Sequence, residues 1–94
     1  MSLATEGRDL ALRQAHDKCV MLLLPTRAGE YQRLPENIHI RFSDEHSGLK
    51  CLPVDVLIVV DPDNDDFDED GYLYAMERTR AQRDPKILFI PEPA

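Results

Sequence analysis

Cysteine and long apolar runs are scarce in this sequence, and their scarcity excludes two classes of protein. Only Cys19 and Cys51 are present, both in apolar surroundings, so we expect two reduced, buried thiols and no disulfide framework. The longest apolar runs, residues 19–24 and 56–60, are far too short to span a bilayer, and no basic stretch precedes an apolar run of signal-peptide length. We therefore expect a soluble, cytoplasmic protein without a membrane partner.

Large basic clusters and phosphate-binding glycine patterns are lacking as well. The basic cluster formed by Arg78, Arg80 and Arg83 is small and stands beside acidic residues, which argues against direct contact with nucleic acid. Residues 26–37 contain Gly29 but no glycine-rich phosphate loop. These absences favour a non-enzymatic role.

What the chain has in excess is acid, and the excess is confined to residues 61–70, called here the acidic segment. Seven of its ten residues are Asp or Glu, so the other 11 of the 18 acidic residues balance the 11 Lys and Arg residues, and the net charge of -7 is local. At 94 residues, 43% of them hydrophobic, the chain fits one folded domain, residues 1–94, with a small core. A concentrated acidic patch on a neutral body indicates a cation site or a dock for a basic partner.

The hydrophobic pattern predicts an α/β or α+β fold. Residues 4–17 have helical spacing, whereas residues 19–24 form an apolar run that suits a buried strand, or a continuation of the helix. Residues 38–42 alternate as a half-buried strand does, and Leu49 and Cys51 alternate before Pro53, which predicts a hairpin.

The C-terminal part of the pattern predicts a right-handed parallel β-α-β unit. Residues 54–60 suit a central strand, residues 72–83 a helix and residues 86–90 a second buried strand, followed by an extended tail over residues 91–94. Together these elements predict a mixed sheet of four or five strands with two helices on one of its faces. The exposed edges of so small a sheet also favour a homodimer.

The acidic segment is predicted to dock on a basic protein surface, as phosphate groups do. Carboxylates spaced along an exposed segment can pair with Arg or Lys side chains that otherwise bind phosphate. The residues assigned to this contact are Asp61, Asp63, Asp65, Asp66, Asp68, Glu69 and Asp70.

A calcium site is the first alternative. Residues 66–77, DFDEDGYLYAME, fit the pattern D-x-[DN]-x-[DN]-G-x5-E, and this stretch resembles the calcium loop of the EF-hand family. The resemblance implies side-chain ligands from Asp66, Asp68 and Asp70, a backbone carbonyl from Tyr72, a bidentate Glu77 and a sharp turn at Gly71. A predicted strand, rather than an entering helix, precedes these twelve residues.

Three further interpretations use the same or neighbouring residues. The acids suit the N-terminus of a helix, with Asp66 and Glu69 spaced like a capping box. Asp61 and Asp63 after one strand and Glu92 after its predicted neighbour suit an Mg²⁺ site for phosphoryl transfer. Zinc ligation has the ligand types it needs in His16, Cys19, His46 and Cys51.

Overall fold

A computed structural model describes residues 3–25, 34–51 and 54–91 of the chain. Residues 26–33 of the connection predicted over residues 26–37, Pro53 and the tail residues 92–94 lie outside the described residues. In chain order the elements are α1 (Leu3–Gln14), β1 (Val20–Leu24), β2 (Ile38–Phe42), α2 (His46–Cys51), β3 (Val56–Val60), α3 (Glu69–Arg80) and β4 (Lys86–Ile90).

The four strands form one sheet in the order β2-β1-β3-β4, and every pairing is parallel. The α/β fold, the strand at residues 19–24 and the parallel unit made by β3, α3 and β4 are therefore confirmed. The predicted mixed sheet is wrong, because the residues read as the second strand of a hairpin, Leu49 and Cys51, lie in the short helix α2. That helix carries the chain from β2 across β1 to β3, so the strands it joins are parallel.

Both faces of the sheet are covered, which explains why every residue of β1 and β3 is buried. Successive residues of a strand point to opposite faces. Val20, Leu22 and Leu24 pack under α1, whereas Met21 and Leu23 pack on the side that holds Leu49 of α2 and Ala75 of α3. The prediction that both long helices share one face is thus wrong, since one apolar layer lies on each side of the sheet.

The strand order places a topological switch point between β1 and β3 at the carboxyl edge of the sheet. The chain leaves β1 toward β2 and leaves β3 toward β4, so the two connections diverge from neighbouring strands. In open α/β sheets ligands bind at such a switch point.

Within the described ranges, no helix is long and apolar enough to cross a membrane.

Candidate functional site

The acidic segment begins at this switch point, directly after β3. Asp61 adopts a left-handed backbone conformation with φ of 52°, and its N–H donates to the carbonyl of Ile90 at 2.6 Å. The bond completes the last pair of the β3–β4 ladder, Val60 with Ile90, while the positive φ turns the chain away from the sheet. The start of the segment is therefore fixed to the core.

A turn built around Asn64 holds the next residues. The Asn64 side chain accepts from the Asp66 N–H at 2.8 Å and donates to Asp61 Oδ2 at 3.2 Å. Its own N–H donates to the Asp61 carbonyl at 3.1 Å, and its carbonyl accepts from the Phe67 N–H at 2.9 Å. An Asn side chain in this role defines an Asx turn, so the loop has a fixed backbone shape.

Most of the predicted docking residues are displayed to solvent on this turn. Asp63, Asp65 and Asp66, called here the displayed acids, are exposed, as are Glu69 and Asp70, while Asp61 is half-buried. In the described part of the chain, no Lys or Arg side chain lies within 4.0 Å of any of these carboxylates. The local charge predicted from sequence is therefore presented outward and is not neutralised within the described residues.

Asp68 has a different role, because it caps α3. Its backbone is extended, and its carboxylate accepts from the Asp70 N–H at 3.0 Å. Its own N–H donates to Ser43 Oγ at 2.9 Å, and Ser43, which is fully buried after β2, donates to the Pro25 carbonyl at 2.7 Å. The hydroxyl thus ties the start of α3 to the carboxyl ends of β1 and β2. The cap is Asp68, not the predicted Asp66.

His46 completes the contacts of Asp68. The His46 Nε2–H donates to Asp68 Oδ2 at 2.9 Å, and both side chains are about one-third exposed. This hydrogen bond holds the pKa of Asp68 below its ordinary value, assisted by the backbone N–H groups of Gly71 and Asp70 and opposed by partial burial. His46 opens α2, so the pair joins the N-termini of α2 and α3. We call Ser43, His46, Asp68 and Gly71 the junction.

Gly71 belongs to the junction because a residue with a side chain would clash there. A Cβ on Gly71 would lie 1.8 Å from the carbonyl oxygen of Ser43, a backbone atom, and 3.0 Å from Leu49. Only glycine allows α3 to approach the end of β2 so closely. The sequence interpretation placed this glycine in the sharp turn of a calcium loop, whereas it lies inside the first turn of α3.

The helix boundary also changes the geometry expected of a calcium loop. Helix α3 begins at Glu69, three residues before the predicted start, so Asp70, Tyr72 and Glu77 are all helical. Glu77 lies eight residues beyond Glu69, a rise of about 12 Å along the helix axis. Among the residues that the structure describes, no group of three or more His, Cys, Asp or Glu side chains is arranged to hold a metal ion. Calcium binding stays a prediction that only titration tests.

The magnesium and zinc sets are only partly described. Asp61 and Asp63 follow β3, but Glu92 lies outside the described residues. For the zinc set, the side chain of Cys51 is likewise not described, while Cys19 is a free, half-buried cysteine. Burial, together with the charge of Asp55, raises the pKa of the Cys19 thiol, which disfavours the thiolate that zinc requires.

Sequence reasoning missed Ser43, His46 and Asn64 as structural partners of the acids. A local signal for Asn64 is present, because an Asn side chain in a Pro-containing loop favours a hydrogen bond to the backbone N–H two residues on. Ser43 and His46 are 25 and 22 residues away from Asp68 in the chain, so no local pattern indicates their contacts. A helical glycine in an otherwise regular helix was the remaining signal of a close backbone approach.

Comparison of the chain with protein-family models, with curated proteins and with solved structures found no match to any of them.

Proposed function

We propose that this protein is a small, non-enzymatic binding module that docks on a basic surface of a partner protein through the acidic segment. The observation that carries the proposal is the exposure of Asp63, Asp65 and Asp66 on an ordered turn without a cationic neighbour in the described part of the chain. Their carboxylates are free to pair with Arg or Lys side chains of another molecule.

The electrostatics favour such a partner. Carboxylates held on adjacent residues repel one another, and a basic surface relieves that repulsion while adding charge-assisted hydrogen bonds. The net charge of -7 also concentrates the field at one place, which accelerates encounter with a basic protein. We infer an association that is fast, dependent on charge and weakened by salt.

The fixed backbone of the turn supports the same conclusion. Asn64 and the Asp61–Ile90 hydrogen bond hold the loop before any partner arrives. A preorganised loop loses less conformational entropy on binding than a mobile one. Spaced acids on a firm base can therefore imitate a row of phosphates, which links the proposal to partners that otherwise bind nucleic acid.

The test is capture of basic proteins from cell extract by the immobilised chain. We expect the triple variant Asp63→Asn, Asp65→Asn, Asp66→Asn to lose the captured protein while keeping the parent circular dichroism and melting temperature. The matched control changes three exposed acids elsewhere, Asp9→Asn, Asp17→Asn and Asp84→Asn, and carries the same net charge as the triple variant. That control should capture as the parent does.

Two further readouts sharpen the experiment. Raising the salt concentration should elute the captured protein. Added duplex DNA should also release it, if the acids imitate phosphate, because DNA competes with the immobilised chain for the captured protein's basic surface. Equal capture by the parent and the triple variant, or capture that resists high salt, would refute docking through the acidic segment. Elution by salt but not by DNA would retain the docking and remove the phosphate imitation.

A further inference from the structure

Strand β4 is the edge of the sheet, with β3 as its only neighbour among the described residues. The Lys86 N–H donates to the Asp55 carbonyl at 3.1 Å and the Ile90 carbonyl accepts from Asp61, so the polar groups of both residues point toward β3. Because these directions alternate along a strand, the N–H and C=O groups of Ile87 and Phe89 point outward. The side chains of Ile87, Leu88 and Phe89 are only half-buried.

We propose that β4 pairs antiparallel with β4 of a second copy of this chain, about a two-fold axis at Leu88. In this register Ile87 of one copy faces Phe89 of the other, and each facing pair exchanges both of its backbone hydrogen bonds. Leu88 faces its own counterpart at the axis, where the side chains of an antiparallel pair approach most closely. The outward groups of the edge are then all satisfied in one continuous sheet.

Helix α3 fits the same axis. It packs against β3 and β4, so addition of a second β4 at the usual strand spacing places the two α3 helices roughly 10 Å apart, the spacing of packed helices. The rings of Tyr72 and Phe89, with centroids 6.1 Å apart, mark the side of α3 that lies toward β4. On a helical wheel Glu69, Leu73, Met76 and Arg80 extend that side toward the open edge.

Charge complementarity identifies the occupant as a second copy. The two-fold axis makes the helices antiparallel, and Tyr72 beside Phe89 puts the helix midpoint two or three residues further on, beside Leu88. Glu69 then lies opposite the partner helix's Arg80, and Leu73 opposite its Met76. Leu73 is 44% exposed, an unusual position for a large apolar side chain that this contact would cover. A strand of another protein could form the backbone hydrogen bonds of the β4 edge, but it would not bring complementary side chains opposite Glu69, Leu73, Met76 and Arg80.

Sedimentation equilibrium of the full chain, from low micromolar to millimolar concentration, tests the dimer. We expect a monomer–dimer equilibrium in which Glu69→Arg or Arg80→Glu alone weakens association about tenfold, because each reversal places like charges opposite one another twice. The double variant with both reversals should restore the parent association, since the charge pair is re-formed. Asp17→Lys, a reversal of an exposed charge beside the start of β2 at the opposite edge of the sheet, should leave it unchanged.

Hydrogen exchange on the unaltered chain supplies a measurement that needs no variant. Protection of the Ile87 and Phe89 amides should rise with protein concentration along with the dimer fraction. A chain that is monomeric throughout, a dimer without that protection, or single reversals that the double variant does not rescue would each overturn the proposal. The triple Asn variant of the displayed acids should dimerise as the parent does, which separates this surface from the displayed acids.

Discussion

The acidic segment contains two groups of residues with opposite roles. The displayed acids, Asp63, Asp65 and Asp66, form one group, and the helix cap Asp68 forms the other. The displayed acids are exposed and have no cationic partner within the described residues, whereas the Asp68 carboxylate accepts hydrogen bonds from the backbone of α3 and from His46. The composition of the segment does not separate them. What separates them is Ser43, whose hydroxyl accepts from the Asp68 N–H and holds Asp68 beside the end of β2.

The difference teaches how so small a domain can carry a concentrated charge. Repulsion among clustered carboxylates favours an expanded loop, and the junction opposes that expansion by joining α3 to the ends of β1 and β2. We therefore expect changes to the displayed acids to leave the stability of the fold almost unaltered, and changes to the junction to lower it.

Gly71→Ala should have the largest effect. The new methyl group would lie 1.8 Å from the Ser43 carbonyl oxygen, and because that atom belongs to the backbone, α3 and the end of β2 must move apart. We expect a loss of about 3 kcal/mol of unfolding free energy, at the upper end for overpacked sites. Urea unfolding followed by circular dichroism measures it.

Gly7→Ala is the matched control, since Gly7 is also a buried helical glycine. Its added Cβ would meet the side chains of Val60 at 2.7 Å and Leu22 at 2.9 Å, which can shift, and alanine favours the helix by about 1 kcal/mol. We expect a clearly smaller loss at Gly7 than at Gly71. Equal losses at the two glycines would mean that the junction is not closer packed than the opposite face of the sheet.

Asp68→Asn should change how stability depends on acid. The hydrogen bond from His46 holds the Asp68 pKa below its ordinary value, so the folded state binds the Asp68 proton less readily than the unfolded state does. The resulting stabilisation is complete above the unfolded carboxyl pKa of about 3.9 and is lost as pH falls through the lower, folded value. Asparagine cannot titrate, so the variant should be less stable near neutrality and should lose less stability on acidification.

Asp63→Asn is the control for this acid dependence, because Asp63 is exposed and lies outside the junction. Thermal melts of the parent and both variants at a series of pH values between neutrality and pH 3 give the comparison. A parallel pH dependence in the parent and in Asp68→Asn would contradict a stabilising carboxylate at the cap.

The strands could be predicted from sequence because their physical signal is local. The runs VMLLL and VLIVV are apolar throughout, as strands covered on both faces must be, and both are fully buried. Helix α2 could not, because three alternating residues around Leu49 fit a strand as well as one turn of helix, and only burial of Leu49 beside α3 decides. The junction was beyond reach for another reason, since its hydrogen bonds join residues more than 20 positions apart.

Metal ions should have the smallest effect. A calcium loop needs Asp66, Asp68, Asp70 and Glu77 around one ion, but α3 already begins at Glu69 and the Asp68 carboxylate is engaged by Asp70 and His46. We therefore expect the same melting temperature in millimolar Ca²⁺ as in chelator, both for the parent and for Glu77→Gln. Any weak condensation of cations should affect the displayed acids only, and the triple Asn variant should abolish it.

Stabilisation by Ca²⁺ that grows with concentration and disappears in Glu77→Gln, but not in Asp61→Asn, would show that the loop rearranges into the calcium site after all. Stabilisation by Mg²⁺ that disappears in Asp61→Asn would instead support the magnesium site predicted at the carboxyl ends of β3 and β4.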